Sequence, residues 1–285
     1  MLLTIIQLIR PQQYVKNGFI FLPFFFSLQT LTSAIALDLI LAFFSFSFIA
    51  STVYIFNDAI DINRDRAHPS KKNRPLAAGT ISVKQAGLVG LVLLFFGLGL
   101  SFQQQTIWLV SFYLILNFFY SIKLKHIAIV DVFIIASGFV IRLFVGALVA
   151  DVILSTWIVI MTFLLALFLA ISKRKGDLLK LENHDSRPVL DDYNQEYLNV
   201  CMSIMASVVI VAYIMYSLSP MVLDHTGSNY VYVTSVFVLF GILRYLKIIL
   251  FDQTSGNPTR ILLSDRLLQL TILGWLLTFA GIFHL

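Results

Sequence analysis

Asn57-Asp58-Ala59-Ile60-Asp61-Ile62-Asn63-Arg64-Asp65 closes a long apolar run, and Arg66, Lys71, Lys72 and Arg74 follow it almost at once. On a helix, Asn57, Asp61 and Asp65 are spaced i, i+4, i+8 and share one face. Acids at a membrane boundary are costly unless they are neutralised. A divalent cation would offset that cost. Hard oxygen donors suit Mg2+, which uses few carboxylates and completes its shell with substrate phosphates. The plainer alternative is a solvated, salt-bridged loop between two spans. The metal-type donors beside a dense basic run favour the metal.

The rest of the chain sets the context. It has 285 residues, of which 59% are hydrophobic and 12% charged. That is about half the charged share of a soluble domain, so the chain reads as an integral membrane protein. Nine apolar stretches approach the roughly 20 residues a spanning helix needs. They lie near 17–33, 38–57, 84–102, 106–122, 128–149, 154–172, 199–219, 230–249 and 267–284, and Pro23 falls inside the first. The runs are too long for strands. The expected fold is an all-α, polytopic bundle of nine transmembrane helices forming one membrane domain over residues 1–285. The lone Cys201 excludes an internal disulfide. The five histidines lack metal-ligand spacing, which argues against zinc. Met1–Ile9 reads as an uncleaved amphipathic lead-in, interrupted by Arg10-Pro11.

Nineteen of the 20 lysines and arginines fall on one set of connections or beside it, and the remaining one, Arg142, sits within a span. The opposite connections carry only Asp38, Asp151 and Asp224 as charges. The positive-inside rule makes the basic side cytoplasmic. The N-terminus and every motif are then expected inside, the C-terminus outside, in a cell (inner) membrane. The net charge of +5 follows from this topology plus an anionic ligand, and calls for no nucleic-acid partner.

Four more constellations face that side. Tyr120 and Lys123 are i, i+3 at the end of the fourth span, where an interfacial anchor with a snorkelling lysine is the alternative. Asp131 and Arg142 lie eleven residues apart, about three turns, so they share a face. A charge inside a bilayer suggests function, with a structural ion pair as the alternative. Lys173-Arg174-Lys175-Gly176-Asp177 closes the sixth span, and the acids beyond it (Glu182, Asp185, Asp191, Asp192) read as solvated. Arg10-Pro11-Gln12-Gln13-Tyr14-Val15-Lys16-Asn17 opens the chain at the membrane surface. Together these put acids for a metal and bases for phosphates on one face of a bundle able to take a lipid. That suits displacement of a Mg2+-bound diphosphate. No Gly-rich phosphate loop, Ser/His/Asp set or reactive-cysteine context supports a kinase or hydrolase.

Asn57-Asp58-x-x-Asp61-x-x-x-Asp65 resembles the first aspartate-rich motif of the UbiA superfamily of intramembrane prenyltransferases, nine-helix bundles with a cytoplasmic active site opening to lipid. Four further stretches look most like the decaprenyl-phosphate phosphoribosyltransferase branch. They are residues 10–17, Tyr54 through Gly79 with His68-Pro69-x-Lys71-x-x-Arg74-Pro75-x-Ala77-Ala78-Gly79, Tyr120-x-x-Lys123-x-Lys125-His126 with Asp131 and Gly138-x-x-x-Arg142, and Lys173-Arg174. The resemblance implies an enzyme, a glycosyltransferase. It would move 5-phosphoribose from 5-phosphoribose 1-diphosphate to a polyprenyl phosphate and release diphosphate. Typical prenyltransferases carry a second Asp-x-x-x-Asp motif after span six. Here Leu181 stands four residues after Asp177, and Lys173-Arg174-Lys175 takes the motif's place. That favours a sugar-phosphate donor and leaves the number of metal ions open.

The expected assignments follow. Asn57, Asp61 and Asp65 hold Mg2+, and Asp58, Asp61 and Asp65 form the catalytic acids. Lys16, Lys71, Arg74, Lys123, Arg142, Lys173 and Arg174 contact phosphates, and Tyr54 and Tyr120 line the donor site. Two alternatives stand beside this. One is a UbiA-type prenyltransferase using a prenyl diphosphate with an aromatic or lipid acceptor. The other is a non-enzymatic transporter of an anionic metabolite, for which paired broken helices would be the signal.

Overall fold

The computed structural model describes residues 2–27, 29–68, 71–179, 192–251 and 258–284, and among these every regular element is helical. They cluster into two units that divide at Ser155 and Thr156.

The first unit begins with α1 (Leu2–Ile9), a 3-10 run over Pro11–Phe21, and α2 (Leu22–Ser27). The expected first span, 17–33, is therefore not one helix. Pro23 lacks the N–H that would tie it to the preceding turn, so it falls in the first turn of a new helix, where that donor is not needed. Next comes α3 (Ser33–Ile60), opened by the Thr32 side chain accepting from the Ile35 N–H. It is followed by α4 (Ile62–Ala67), then α5 (Val83–Gln103) behind a Ser82/Gln85 capping box. α6 (Ile107–Ile122) and α7 (Val130–Val149) complete the unit.

The 3-10 run lies along α3. Tyr14 hydroxyl pairs with Ser51 Oγ at 2.9 Å, and Asn17 Nδ2 donates to Ser47 Oγ at 2.8 Å. The two helices match in pitch: three 3-10 residues rise about 6 Å, and so do four α residues. Tyr14 and Asn17 thus stack on one 3-10 face opposite Ser51 and Ser47, one α turn apart. On the other side the run presses against α7. A Cβ on Gly146 would overlap the Ile20 carbonyl, so this position demands glycine. The core between these elements is Ile20, Phe46, Ile49, Val53, Val110, Tyr113, Ile141 and Val145.

The second unit holds α8 (Thr156–Leu179), α9 (Gln195–Ser217), α10 (Pro220–Thr226), α11 (Ser235–Leu250), α12 (Pro258–Ser264) and α13 (Arg266–His284). Phe168, Met202, Ala206, Ile242, Tyr245, Ile249, Ile261 and Leu268 form its core. Two polar pairs lie inside it: Ser172 Oγ with the Tyr245 hydroxyl at 2.6 Å, and Trp275 Nε1 donating to the Tyr213 hydroxyl at 2.6 Å.

Among the described residues, six helical stretches are long and apolar enough to cross a membrane, and a seventh results if α12 and α13, bent by 85°, make one span. The apolar α6 is shorter, at 16 residues. Eight of the nine expected stretches thus carry an apolar helix of 16 residues or more, and the first carries only the six-residue α2. On α5, Leu88, Leu91, Phe95 and Phe102 form an exposed stripe at heptad-like spacing. A stripe this apolar and unpartnered suits lipid.

Candidate functional site

The acidic stretch sits where α3 ends. Asp61 leaves helical geometry (φ −92°, ψ 10°), though its N–H still reaches the Asn57 carbonyl at 3.0 Å and its own carbonyl accepts from Asp65 N at 2.7 Å. This break redistributes the side chains expected on one face. Asn57 and Asp61 turn to Lys125, whose Nζ lies 3.2 Å from Asn57 Oδ1 and 2.8 and 2.7 Å from the two Asp61 oxygens. Asp58 and Asp65 turn to Arg74, whose Nη1 donates to Asp58 Oδ1 at 2.9 Å and Asp65 Oδ2 at 2.7 Å. Arg10 donates to the other Asp58 oxygen, and Arg64 stands 3.8 Å from Asp61.

Each base is delivered by a local irregularity. Arg74 rides a folded-back loop in which Thr80 N donates to the Pro75 carbonyl at 3.0 Å and Gly79 takes φ +71°. Buried Leu76 anchors that loop against Leu8, Ile55 and Ala86. Lys125 lies in the 3-10 turn Leu124–His126, which follows the end of α6 and points Lys125 inward. Arg10 has left-handed backbone (φ 55°, ψ 62°), a strain on the order of 1 kcal/mol, where α1 gives way to the 3-10 run. Its guanidinium lies 5.3 Å from the centre of the Tyr54 ring. Sequence reasoning placed Arg10 and Lys125 within motifs but not among the site residues.

Asp58, Asp61 and Asp65 are thus met by Arg10, Arg74 and Lys125, with Arg64 farther out, and among the described residues neither Arg142 nor Lys16 has a carboxylate partner. Buried Arg142 donates from Nε to Asn17 Oδ1 at 2.8 Å and from Nη1 to the Gly138 carbonyl at 2.6 Å. Its guanidinium faces the Phe46, Tyr113 and Phe139 rings at 4.5, 5.2 and 5.3 Å. Among the described residues no carboxylate pairs with Arg142, so Asp131, buried in the first turn of α7, is not its counter-ion. Half-buried Lys16 lies in the field of Arg142 and Arg10. Burial first, then these like charges, lowers its ammonium to about 8.

The sign follows. Lys16 is charged and able to attract a phosphate below about pH 8, and loses that charge as pH rises through it. Holding the charge costs stability below that pH, and the cost is relieved as pH rises toward the ordinary lysine range. The kcat/KM for a phosphate-bearing substrate should therefore fall above about pH 8. In Lys16→Arg, which stays charged, that alkaline limb should disappear. An unchanged limb in Lys16→Arg would assign it to another group.

The remaining expected residues are placed as follows. Tyr54 is half-buried under Arg10, and Tyr120 is half-buried at the end of α6. Lys71 is half-buried on a 3-10 turn, its backbone N–H on His68 Nδ1 at 3.3 Å. Lys123 caps α6 and is exposed. Lys173 and Arg174 belong to the second unit, where Arg174 is fully buried and pairs with Asp177 at 3.3 Å. Glu182, Asp185 and Asp191 lie outside the described residues.

Among the described residues no three Asp, Glu, His or Cys side chains converge as a metal cage. The donors fit a metal of another kind. A cation, the Lys125 ammonium, is already seated on Asn57 Oδ1 and both Asp61 oxygens. Few protein oxygens, all hard, are what Mg2+ takes when phosphates supply the rest.

The profile of the UbiA prenyltransferase family matches residues 19–264, running through both units. The chain belongs to the UbiA prenyltransferase family. It is therefore an enzyme of the transferase class and an integral membrane protein. Among UbiA relatives, decaprenyl-phosphate phosphoribosyltransferase of Mycolicibacterium smegmatis is 31% identical, over 95% of this chain and 90% of that one. The enzyme of the same name from Corynebacterium glutamicum is 29% identical, over 95% and 83%. A UbiA homolog from Archaeoglobus fulgidus bound to GPP and Mg2+ superposes with a TM-score of 0.74 at 18% identity, over 99% of this chain and all of that one. The likeness shows that the UbiA fold is shared.

Proposed function

We propose that this protein transfers 5-phosphoribose from 5-phosphoribose 1-diphosphate to a polyprenyl phosphate and releases diphosphate. The near full-length similarity to decaprenyl-phosphate phosphoribosyltransferases carries this reading. The excess of positive charge at Lys16 and Arg142 supports it, because this donor and acceptor bring two phosphates beyond the diphosphate. The reaction takes place at the cytoplasmic face of a nine-span bundle in the inner membrane, its first span (17–33) formed by the end of the 3-10 run and α2 in place of one helix, with the N-terminus inside and the C-terminus outside.

Asn57, Asp61 and Asp65 would hold Mg2+, which stabilises negative charge on a departing diphosphate. Asp58, fixed by two guanidinium groups, orients Arg74 and Arg10 toward the donor. Tyr54 and Tyr120 line the donor, and Lys16, Lys71, Arg74, Lys123, Lys173 and Arg174 take phosphates. Arg142, fixed by Asn17 and Gly138, takes a phosphate where donor meets lipid. In the transfer, a lipid phosphate oxygen bonds to the anomeric carbon as that carbon's bond to the diphosphate oxygen breaks. The diphosphate leaves with the bonding electrons, and the centre inverts. The attacking oxygen is already an anion, so it needs positioning and no dedicated base.

The test is incubation of purified protein with Mg2+ and 5-phosphoribose 1-diphosphate labelled in the ribose, with and without polyprenyl phosphate. Label should enter the lipid phase only with the acceptor. Label remaining in water under all conditions would overturn the reading. The second reading, transfer of a prenyl group, is favoured by the fold shared with a homolog bound to GPP. A parallel reaction with a prenyl diphosphate separates the two.

Donor contacts have their own test. Losing one charge-assisted hydrogen bond costs about 1.5–3 kcal/mol, so Lys71→Met and Lys123→Met should each weaken donor binding roughly ten- to a hundredfold. Binding isotherms that match wild type for both would move the pocket elsewhere.

A further inference from the structure

We propose that Lys125 is an exchangeable counter-ion for the divalent metal: its ammonium occupies the Asn57–Asp61 oxygens and must leave them for the metal to bind. The proposal rests on the reading of Asn57 and Asp61 as metal ligands and adds a competitor for their oxygens. Lys125 is buried, 2% exposed, and its Nζ lies within 3.2 Å of Asn57 Oδ1 and both Asp61 oxygens. A metal held by these oxygens would stand within a few ångströms of the ammonium. Two cations that close repel strongly in a partly desolvated setting.

The neighbouring ion pairs are built differently. Asp58 is clamped between two guanidinium groups, and Arg74 bridges Asp58 and Asp65. Displacing Arg74 would break two buried pairs at once. Lys125 is a point charge on a flexible stem, held from a single 3-10 turn. It can be traded more readily than the bridging Arg74. A diphosphate arriving with the metal supplies a new anion for the released ammonium, so the site's charge stays balanced. The lysine would therefore hold metal affinity down until the diphosphate is present.

The test uses Mn2+ as a spectroscopic substitute for Mg2+. Free Mn2+ is measured by electron paramagnetic resonance while it is titrated into full-length protein in detergent, without phosphate compounds. Lys125→Met should bind Mn2+ at least about tenfold more tightly than wild type, although it should turn over poorly. In chelator its thermal midpoint should fall, since Asp61 loses its buried pair with Lys125, and Mn2+ should raise that midpoint more than in wild type. Lys125→Gln, which keeps a donor for Asp61 without the charge, gives the same comparison if the methionine variant does not fold. Mn2+ affinity unchanged or weaker in a folded Lys125 variant would overturn the exchange. Asn57→Ala with Asp61→Asn serves as the reference. If that variant binds Mn2+ as wild type does, the metal assignment itself fails. If it loses Mn2+ while Lys125→Met matches wild type, only the exchange fails.

Discussion

Asp61→Asn should lower turnover by on the order of a hundredfold or more, with the protein still folded. Asp61 supplies both carboxylate oxygens facing Lys125 and stands beside Asn57 in the proposed metal set. The amide keeps one acceptor for the buried ammonium and removes the charge a metal needs. Asp61→Ala removes both. It breaks the buried Lys125–Asp61 pair and should cost a further 3–5 kcal/mol or so, seen as a lower thermal midpoint. The pair of variants separates chemistry from stability: both lose activity, but only alanine loses much stability. Near-normal turnover of Asp61→Asn at limiting Mg2+ would remove Asp61 from the metal set.

Arg142→Met should lose roughly a hundred- to a thousandfold in kcat/KM, because a guanidinium reaching two phosphate oxygens contributes two charge-assisted bonds. Arg142→Lys keeps the charge but loses the fork, so it should retain part of the activity. The surroundings sharpen this expectation. Asn17, the Gly138 carbonyl and three aromatic rings hold the side chain, and no acid does among the described residues. Adding Asp131→Asn to Arg142→Met should therefore restore nothing. Recovery of activity in the double variant would make Arg142 half of a structural pair.

Much of this was legible in the chain. Long apolar runs announce spanning helices because a bilayer rewards unbroken hydrogen bonding within each segment. Asn57, Asp58, Asp61, Asp65 and Arg74 lie near one another because Asn57 and Asp58 end α3, Asp61 forms the junction, Asp65 is on α4 and Arg74 follows the 3-10 turn Lys71–Asn73. The failures fall where periodicity breaks. Asp61 ends α3, so the acids divide between two bases instead of lining one face. On a continued helix Lys123 would share Tyr120's face and Lys125 would not. The turn after Ile122 reverses their roles, burying Lys125 and exposing Lys123. Arg10 reaches Asp58 across 48 residues through a left-handed residue, which no local pattern encodes. The eleven-residue spacing of Asp131 and Arg142 gave a shared face, but Arg142 is taken by the segment around Asn17.

That segment imposes a counting rule on its own evolution. Between Pro11 and Phe21 three residues complete a turn, and Tyr14 and Asn17 meet α3 because their separation equals that turn. One inserted residue would rotate everything beyond it by about 120°. Asn17 would then swing away from Ser47 and Arg142, and a bulkier residue would turn toward Gly146. An insertion of three would restore the angle and displace the contacts by one α turn of α3, from Ser47 toward Phe43. Natural length changes here should come in threes, a triplet rhythm beside long α-helices that repeat in fours and sevens.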